Sequence, residues 1–244
     1  MIAQLSMYDR GETAPANDRF WALIREQLGH GPETLTRGGD LMQNWLSPDL
    51  VLAQTCGYPY RARLHGNVTL VGTPDYGLPD CAPGHYYSVF VARRDDARVS
   101  LPDFGGARFA YNEALSQSGW AAPRYHADRI GLNFGSLVQT GGHALSAQAV
   151  AAGDADFAAL DAVTWAMVQK WDACAQALKV IDRTEPTPGL PLISAVGAAR
   201  GALFNATSAA IDALCDEDRQ TLMLRRLVDI PAAAYLAIPN PPAP

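Results

Sequence analysis

Short apolar runs alternate with amphipathic stretches along most of the chain. The runs that predict buried strands include IAQLSM at 2–7, DLVLAQ at 49–54, VTLVG at 68–72 and YYSVFVA at 86–92. Between the first two runs, apolar residues recur three and four positions apart and predict a helix over residues 15–28. Strands that alternate with helices in this way predict an α/β protein.

The middle of the chain shows this alternation most clearly. Strands are predicted at 107–111, 136–139 and 156–160, and each is followed by a polar turn and a helix. In open parallel sheets, ligands bind beyond the carboxyl ends of the strands. A helix that begins there presents unpaired N–H groups and the positive end of its dipole. The three junctions after these strands are therefore candidate anion-binding segments.

The last part of the chain predicts fewer strands. Strands are predicted at 178–182 and 192–195, and residues 197–236 predict two helices that are broken near Asp216. The final PNPPAP at 239–244 cannot continue a helix, so this tail is expected to fray.

The first junction, LSQSGW at 115–120, combines two serines with a glycine. The hydroxyls of Ser116 and Ser118 can donate hydrogen bonds to an anion, and Gly119 lets the backbone approach a ligand closely. The alternative is a plain helix N-cap, a position where serine is favoured.

The second junction, TGGHALS at 140–146, places two glycines before a helix. Bare backbone amides there can lie against a ligand, with Thr140 before them. His143 can donate to an anion, and its charge is expected to change near neutral pH. The alternative is a glycine turn followed by a surface histidine.

The third junction places Asp161 between an apolar strand and a helix. It can be only an N-cap. It can also accept a hydrogen bond from a protonated oxyanion or a ligand amine, and its charge would then disfavour fully deprotonated anions.

Composition narrows the classes of partner. The 244 residues carry a formal net charge of −6, with no basic stripe, which argues against nucleic acid and anionic membrane surfaces. No apolar run approaches the roughly 20 residues that span a bilayer. The first residues, MIAQLSMYDRGE, lack the pattern of a secretory leader, which taken alone predicts a cytoplasmic protein.

The chain shows no motif for a metal or a cofactor. Its four cysteines have no C-x-x-C spacing, and P-loop, HExxH and GxSxG motifs are absent, so we expect neither metal nor cofactor. Scattered cysteines are usually small buried apolar residues. Cys56 and Cys81 flank segments assigned to the ligand site and could instead form a disulfide, which would favour an oxidising compartment.

Several motifs resemble the binding proteins of phosphate, phosphite and phosphonate ABC transporters. Those after the strand at 86–92 are VARRD at 91–95, LPDFGGARFA at 101–110 and SQSG at 116–119. The next motifs are similar to the family's glycine–serine–histidine segment and to its acidic positions. They comprise Gly141, Gly142, His143, Ala149, Val150, Gly153, Asp156 and Asp161. The resemblance covers residues 49–195 in order.

This resemblance implies the type II periplasmic-binding-protein fold. That fold has two α/β lobes, each a mostly parallel sheet flanked by helices, joined by two crossing strands with the ligand cleft between the lobes. Lobe one would comprise residues 1–88 and 190–244, and lobe two residues 89–189. The crossings would lie near 87–91 and 187–192.

The resemblance also implies a set of site residues. Ser116, Ser118 and His143 would be oxyanion donors, Asp161 stands where the family has an acidic ligand contact, and tyrosines would line the cleft from lobe one. The complete set of candidate ligand-binding residues is Tyr58, Tyr86, Tyr87, Ser116, Gln117, Ser118, Thr140, His143 and Asp161. Leu190 occupies a turn position where phosphonate binders of the family often carry an acidic residue, which disfavours a ligand with an amine.

The function implied is capture of a small oxyanion, such as phosphate or a phosphonate, as the binding component of an ABC uptake system. Its partners would be the small anion and an ABC permease, in the periplasm. Two alternatives remain on the same fold. One is a cytosolic enzyme like those of the alternative menaquinone pathway, with His143 and Asp161 as acid and base. The other is a cytosolic ligand sensor.

Overall fold

The computed structural model describes all residues, 1–244, as two compact units. Unit 1 comprises Met1–His85 and Pro188–Ile238, and unit 2 comprises Tyr86–Thr187 and Pro239–Pro244. The chain therefore passes between the units just before the first expected crossing, at 85–86, and within the second, at 187–188.

The C-terminal tail corrects the expected division of the chain. The sequence assigned residues 239–244 to lobe one and expected them to fray, whereas this segment belongs to unit 2. The indole Nε1 of the buried Trp120 donates a hydrogen bond to the Pro242 carbonyl at 2.9 Å. A proline-rich segment keeps its backbone carbonyls unpaired, so it can satisfy a buried indole in this way.

The strands and helices alternate along the chain. The strands are β1 (Ile2–Gln4), β2 (Leu50–Gln54), β3 (Val68–Asp75), β4 (His85–Tyr86), β5 (Ser88–Arg93), β6 (Phe109–Tyr111), β7 (Leu137–Gln139), β8 (Phe157–Asp161), β9 (Leu178–Arg183), β10 (Thr187–Pro188), β11 (Leu192–Ala195) and β12 (Arg226–Val228). The α-helices are α1 (Ala14–Leu28), α2 (Leu41–Trp45), α3 (Gly57–Pro59), α4 (Ala122–Arg129), α5 (His143–Ala152), α6 (Ala162–Trp171), α7 (Arg200–Ala213), α8 (Asp216–Leu222) and α9 (Ala232–Leu236). The remaining short helices are Ser6–Tyr8, Tyr60–Leu64, Leu101–Phe104, Gln117–Ala121 and Ala173–Ala177.

Unit 1 is built on a five-stranded sheet in the order β1-β2-β11-β3-β12. β1 and β2 are parallel, and β11 is antiparallel to both β2 and β3. β1, β2 and β3 therefore run in the same direction, and their carboxyl ends meet at one edge of the sheet. Every residue of β2 is buried, as expected for a central strand with a continuous apolar sequence.

Unit 2 is built on a second five-stranded sheet in the order β7-β6-β8-β5-β9. β6 is parallel to both β7 and β8, and β5 is antiparallel to β8 and β9. The three strands that the sequence placed before the polar junctions are thus parallel neighbours. Their carboxyl ends lie at a single edge.

The sheets are mixed because of the strands that follow the passages between the units. β5 follows the first passage and β11 the second. Each enters its own sheet at the carboxyl-end edge, since Ser88 pairs with Asp161 and Leu192 pairs with Gln54. A strand that enters from that edge runs against its neighbours, so β5 breaks the expected mostly parallel order in unit 2 and β11 breaks it in unit 1. In unit 1, β12 is also antiparallel to its neighbour β3.

An aromatic cluster fills the core of unit 2. The ring of Phe157 lies 5.0 Å from that of Phe109 and 5.2 Å from that of Phe104, and Phe109 stacks on Phe134 at 4.1 Å. Burial of each phenylalanine contributes about 1.5–3 kcal/mol. This core anchors the amino-terminal halves of β6 and β8, whose other ends carry the polar junctions.

The C-terminal region contains one strand that the sequence missed. Residues 197–236 form α7, α8 and α9 as helices, but β12 interrupts them and pairs with β3. Its three residues, RLV, are too few for a recognisable alternation, and the long β3 supplies the pairing edge. None of the helices is both long enough and apolar enough to cross a lipid bilayer.

Candidate functional site

The carboxyl edge of the unit 2 sheet gathers the three polar junctions. β6 leads to the turn with Ser116, β7 leads to Thr140 and α5, and β8 ends at Asp161. β5 starts at the same edge with Ser88, which is opposite Asp161 in the antiparallel pair. Parallel strand ends bring together residues that are far apart in sequence, so one small ligand could contact several of them.

Ser116 caps the helical segment that follows β6. Its Oγ accepts a hydrogen bond from the amide of Gly119 at 2.9 Å. The capped turn, Gln117–Ala121, is a π-turn that runs directly into α4. Ser116 is therefore the N-cap of this segment, as the alternative interpretation predicted. Its own hydroxyl hydrogen is still available for donation. Gln117, beside it, is buried.

Gly119 is required by packing inside unit 2. A Cβ at this position would lie 1.8 Å from Oδ1 of Asn112. The close approach that the sequence indicated is thus with the Asn112 side chain. Asn112 follows β6 directly and was not singled out from sequence, because a lone asparagine after a strand is an ordinary turn residue.

Ser118 is fixed through both its side chain and its backbone. Its Oγ lies 2.8 Å from Nε2 of His143. Its carbonyl accepts a hydrogen bond from Oγ of Ser88 at 2.8 Å, and both serines are buried. Ser88 was missed from sequence, although a serine inside the apolar run YYSVFVA was the available signal.

His143 begins α5 and has an imidazole that resists protonation. Burial lowers the pKa of the ring from 6.5 to about 4, while the neighbouring Ala159 carbonyl raises it. The ring is therefore neutral at pH 7. The sequence-based expectation that its charge changes near neutral pH is wrong, because that expectation assumed an exposed side chain at a glycine turn.

Thr140 organises the turn before α5. Its Oγ1 lies 2.7 Å from Oγ of Ser146, and the carbonyls of Tyr111 and Gly142 lie 3.2 and 3.1 Å away. Gly141 has a φ of 84°, a left-handed conformation that favours glycine. The single hydroxyl hydrogen of Thr140 thus has acceptors within its own turn.

Asp161 is the N-cap of α6. Its Oδ1 accepts hydrogen bonds from the amides of Val163 at 2.7 Å and Thr164 at 3.0 Å, and the residue is buried. Of the two interpretations of this residue, the structure supplies the cap directly. A ligand contact by Asp161 stays a prediction.

The two adjacent tyrosines differ in their surroundings. Tyr86 is fully buried, whereas Tyr87 is half-buried and packs against the apolar cluster of Val89 and Trp165. The Arg183 guanidinium lies 5.4 Å from the centre of the Tyr87 ring. No contact of either residue with a ligand follows from these positions, so both remain predicted site residues.

In unit 1, Tyr58 lies just beyond the carboxyl end of β2. It is buried within α3, and the guanidinium of Arg61 stacks 4.6 Å from the centre of its ring. The resemblance to the family also assigns this tyrosine to lobe one. Its contact with a ligand stays a prediction.

Three further polar residues at that edge were missed from sequence. Tyr8 follows β1, Thr55 follows β2 and Tyr76 follows β3. The Tyr8 and Tyr76 rings meet edge to face at 5.0 Å, and the Tyr76 hydroxyl accepts a hydrogen bond from Nε2 of Gln54 at 2.9 Å. Oγ1 of Thr55 is buried with no hydrogen-bond partner. The signal was an aromatic or hydroxyl residue one to four positions after each strand.

The cysteines are not paired. All four are thiols, with Cys56 buried and Cys81 half-buried, so the disulfide considered from sequence is absent. No three histidine, cysteine, aspartate or glutamate side chains come together in a group that could hold a metal ion.

A family model described as ABC transporter, phosphonate, periplasmic substrate-binding protein matches residues 36–229. The chain belongs to this family. The resemblance drawn from the motifs is thereby confirmed, and with it the role of a substrate-binding protein of the ABC-transporter type. The family consists of periplasmic solute-binding proteins rather than enzymes. No curated protein matches the sequence.

Solved structures share the fold of this family member. PhnD1 from Prochlorococcus marinus in complex with methylphosphonate is 16% identical, with a TM-score of 0.76, over 96% of this chain and 93% of that one. A binding component of an ABC phosphonate transporter from Pseudomonas aeruginosa is 16% identical, with a TM-score of 0.70, over 93% and 80%. MatC from Rhodopseudomonas palustris with bound malate is 14% identical, with a TM-score of 0.66, over 93% and 89%. Since this fold also occurs with bound malate, the ligand must be argued from the site itself.

Proposed function

We propose that this protein binds a small phosphonate or a related oxyanion at the carboxyl edge of the unit 2 sheet and delivers it to an ABC permease in the periplasm. The observation that carries this proposal is the meeting of the Ser116–Ser118 turn with the start of α5 at one edge. Ser116, Gln117, Ser118 and Thr140 are the proposed side-chain contacts, and His143 is proposed to contribute its backbone N–H at the start of α5.

Local dipoles explain how a protein of net charge −6 could hold an anion. The segments that begin at Gln117, His143 and Ala162 all start at this edge, so their backbone N–H groups and positive dipole ends converge there. Capping by Asp161 occupies part of the third helix start. Ser116 likewise occupies one amide of the first start, whereas α5 has no side-chain cap. The start of α5 is therefore the strongest candidate for anion binding.

The same geometry argues against acid–base catalysis by His143 and Asp161. Nε2 of His143 lies at hydrogen-bond distance from Ser118, and Oδ1 of Asp161 accepts from two helix amides. Each group is thus engaged inside the protein. We infer that the ligand leaves the site chemically unchanged.

A thermal-shift screen tests the proposal. Methylphosphonate, phosphite and phosphate should raise the melting temperature in a concentration-dependent manner, because a ligand that binds only the folded state stabilises it. A small amine of similar size is the negative control. If no oxyanion shifts the melting temperature, the proposed function is wrong. Phosphorus-31 spectra of the recovered ligand should match those of the added one, and a new phosphorus species would instead support an enzyme.

A further inference from the structure

The Ser118–His143 pair is held in place by three separate elements of unit 2. Ser118 lies in the π-turn before α4, and His143 is the first residue of α5. Ser88 at the start of β5 donates its hydroxyl hydrogen to the carbonyl of Ser118. The 2.8 Å separation of Ser118 Oγ and His143 Nε2 is therefore a fixed feature of the fold.

The two ring nitrogens of His143 have different surroundings. Nδ1 is sealed from solvent and makes no close hydrogen bond, and the Ala159 carbonyl is the backbone acceptor that acts on the ring. A hydrogen on Nδ1 is attracted by a carbonyl oxygen, whereas a lone pair there would be repelled by it. These surroundings assign the hydrogen to Nδ1 and leave a lone pair on Nε2.

This tautomer determines how Ser118 uses its hydroxyl group. A serine has one hydrogen to donate, and Ser118 donates it to the lone pair of Nε2. Its oxygen then offers only lone pairs to a ligand. Ser118 is therefore assigned as an acceptor in the site, in place of the oxyanion donor that the resemblance implies.

We propose that the Ser118–His143 pair selects oxyanions that carry a proton, such as a phosphonate with one P–OH group, over oxyanions that carry none, such as sulfonates. This proposal rests on the proposed function, because it requires the anion to lie at Ser118. A P–OH group donates to the Ser118 oxygen. A sulfonate would place an acceptor against an acceptor, and a buried mismatch of this kind lowers affinity about tenfold to a hundredfold.

The pair would discriminate in the same sense as was expected of Asp161, whose ligand contact stays a prediction. A carboxylate was expected to disfavour fully deprotonated anions, but Oδ1 of Asp161 is engaged by the amides of Val163 and Thr164. Ser118 achieves the same discrimination without a charge. A neutral acceptor penalises the missing proton and does not repel the anion as a whole.

Calorimetry with two isosteric ligands tests the proposal. Methylphosphonate and methanesulfonate are compared at a mildly acidic pH at which both are monoanions, so that they differ chiefly in the P–OH hydrogen. The wild type should bind methylphosphonate at least about tenfold more tightly. In His143→Leu, the Ser118 hydroxyl can turn towards the ligand, and the affinity ratio should fall to within about threefold.

The control is His126→Leu, which removes the other histidine of unit 2. His126 lies on α4 and pairs through Nε2 with Asp182 at 3.2 Å. Its loss should leave the affinity ratio of the wild type unchanged.

Nitrogen-15 spectra of the histidine rings supply a readout that needs no ligand. Nδ1 of His143 should appear protonated and Nε2 should appear as a lone-pair nitrogen. If the spectra place the hydrogen on Nε2, or if the wild type binds both ligands equally, the selection proposal is overturned while the proposed function stands. If neither ligand binds, the selection proposal and the proposed function are both overturned. Should His143→Leu fail to fold, the wild-type ratio and the spectra still decide.

Discussion

The carboxyl edges of the two sheets are built from different side chains. In unit 2 the edge carries small hydroxyl residues at the starts of helical segments, with Ser118 bonded to the neutral His143. In unit 1 the edge is lined by tyrosines, and the Tyr8 and Tyr76 rings pack edge to face. The first edge offers converging dipoles and short polar groups that suit an anion, whereas the second offers aromatic faces with hydroxyl tips.

The same topological position, the carboxyl edge of a sheet, can therefore present side chains that suit different ligands. Both edges arise because parallel strands end together, and the topology alone does not distinguish them. What distinguishes them is the type of side chain that follows each strand. In unit 2, β6, β7 and β8 are followed by short polar residues at helix starts, whereas in unit 1 a tyrosine lies within four residues of the end of each of β1, β2 and β3.

The largest expected effect is a pH dependence of the folding stability that arises from His143 in unit 2 alone. The pKa of His143 drops from 6.5 to about 4 on burial, so between these values the unfolded chain binds a proton that the folded chain does not. The contribution of His143 to the free energy of unfolding is therefore complete above pH 6.5. It decreases by about 3 kcal/mol as the pH falls towards 4. Urea unfolding of the wild type and His143→Leu measures it. An equal loss of stability in both proteins would contradict the neutral imidazole of His143.

Gly119→Ala should give the next largest effect. The added Cβ would meet Oδ1 of Asn112, so the π-turn must shift, at a cost of about 1–3 kcal/mol, and oxyanion affinity should fall with it. Gly201→Ala in α7 is the control, because nothing lies within 4 Å of its Cβ and alanine favours a helix. Chemical denaturation measures both variants. Stability of Gly119→Ala equal to the wild type would show that the turn tolerates a side chain.

Ser118→Ala should lower methylphosphonate affinity without a matching loss of fold. Removal of one hydrogen-bonding group from a ligand site costs about 1–1.5 kcal/mol, or roughly tenfold in affinity. Ser208→Ala, on α7 of unit 1, should leave the affinity unchanged. Calorimetric titration gives both values, and equal affinities would mean that the anion does not lie at Ser118.

Tyr76→Phe should give the smallest effect and probes the other edge. It removes the hydroxyl that accepts from Gln54 Nε2 and keeps the ring against Tyr8, so stability should fall by about 1 kcal/mol. Thermal unfolding measures this change. A loss of several kcal/mol would show that the tyrosine edge depends on its polar network rather than on ring packing.

The sequence allowed the fold and the unit 2 edge to be predicted because each rests on local patterns. Apolar runs marked β5, β6 and β8, and a helix start after a strand fixes which edge a serine or histidine reaches. β12 escaped prediction, since its pairing depends on β3, which is distant in sequence.

The chemistry of individual atoms required the structure. No pattern shows that Ser118 faces Nε2 of His143 or that Asn112 excludes a side chain at position 119. These facts depend on distances between segments that only the folded chain brings together. Tyr8 and Tyr76 were missed because an aromatic residue after a strand is as typical of a core as of a ligand site.

The most direct test of the central claim is a titration of the isotope-labelled protein with methylphosphonate, followed by amide chemical shifts. If the anion binds at the carboxyl edge of unit 2, the amides of residues 116–119 and 141–143 should show saturable shifts that rank among the largest in that unit. Ser118→Ala should reduce these shifts at the same ligand concentration. Saturable binding that leaves both segments unshifted would contradict the account.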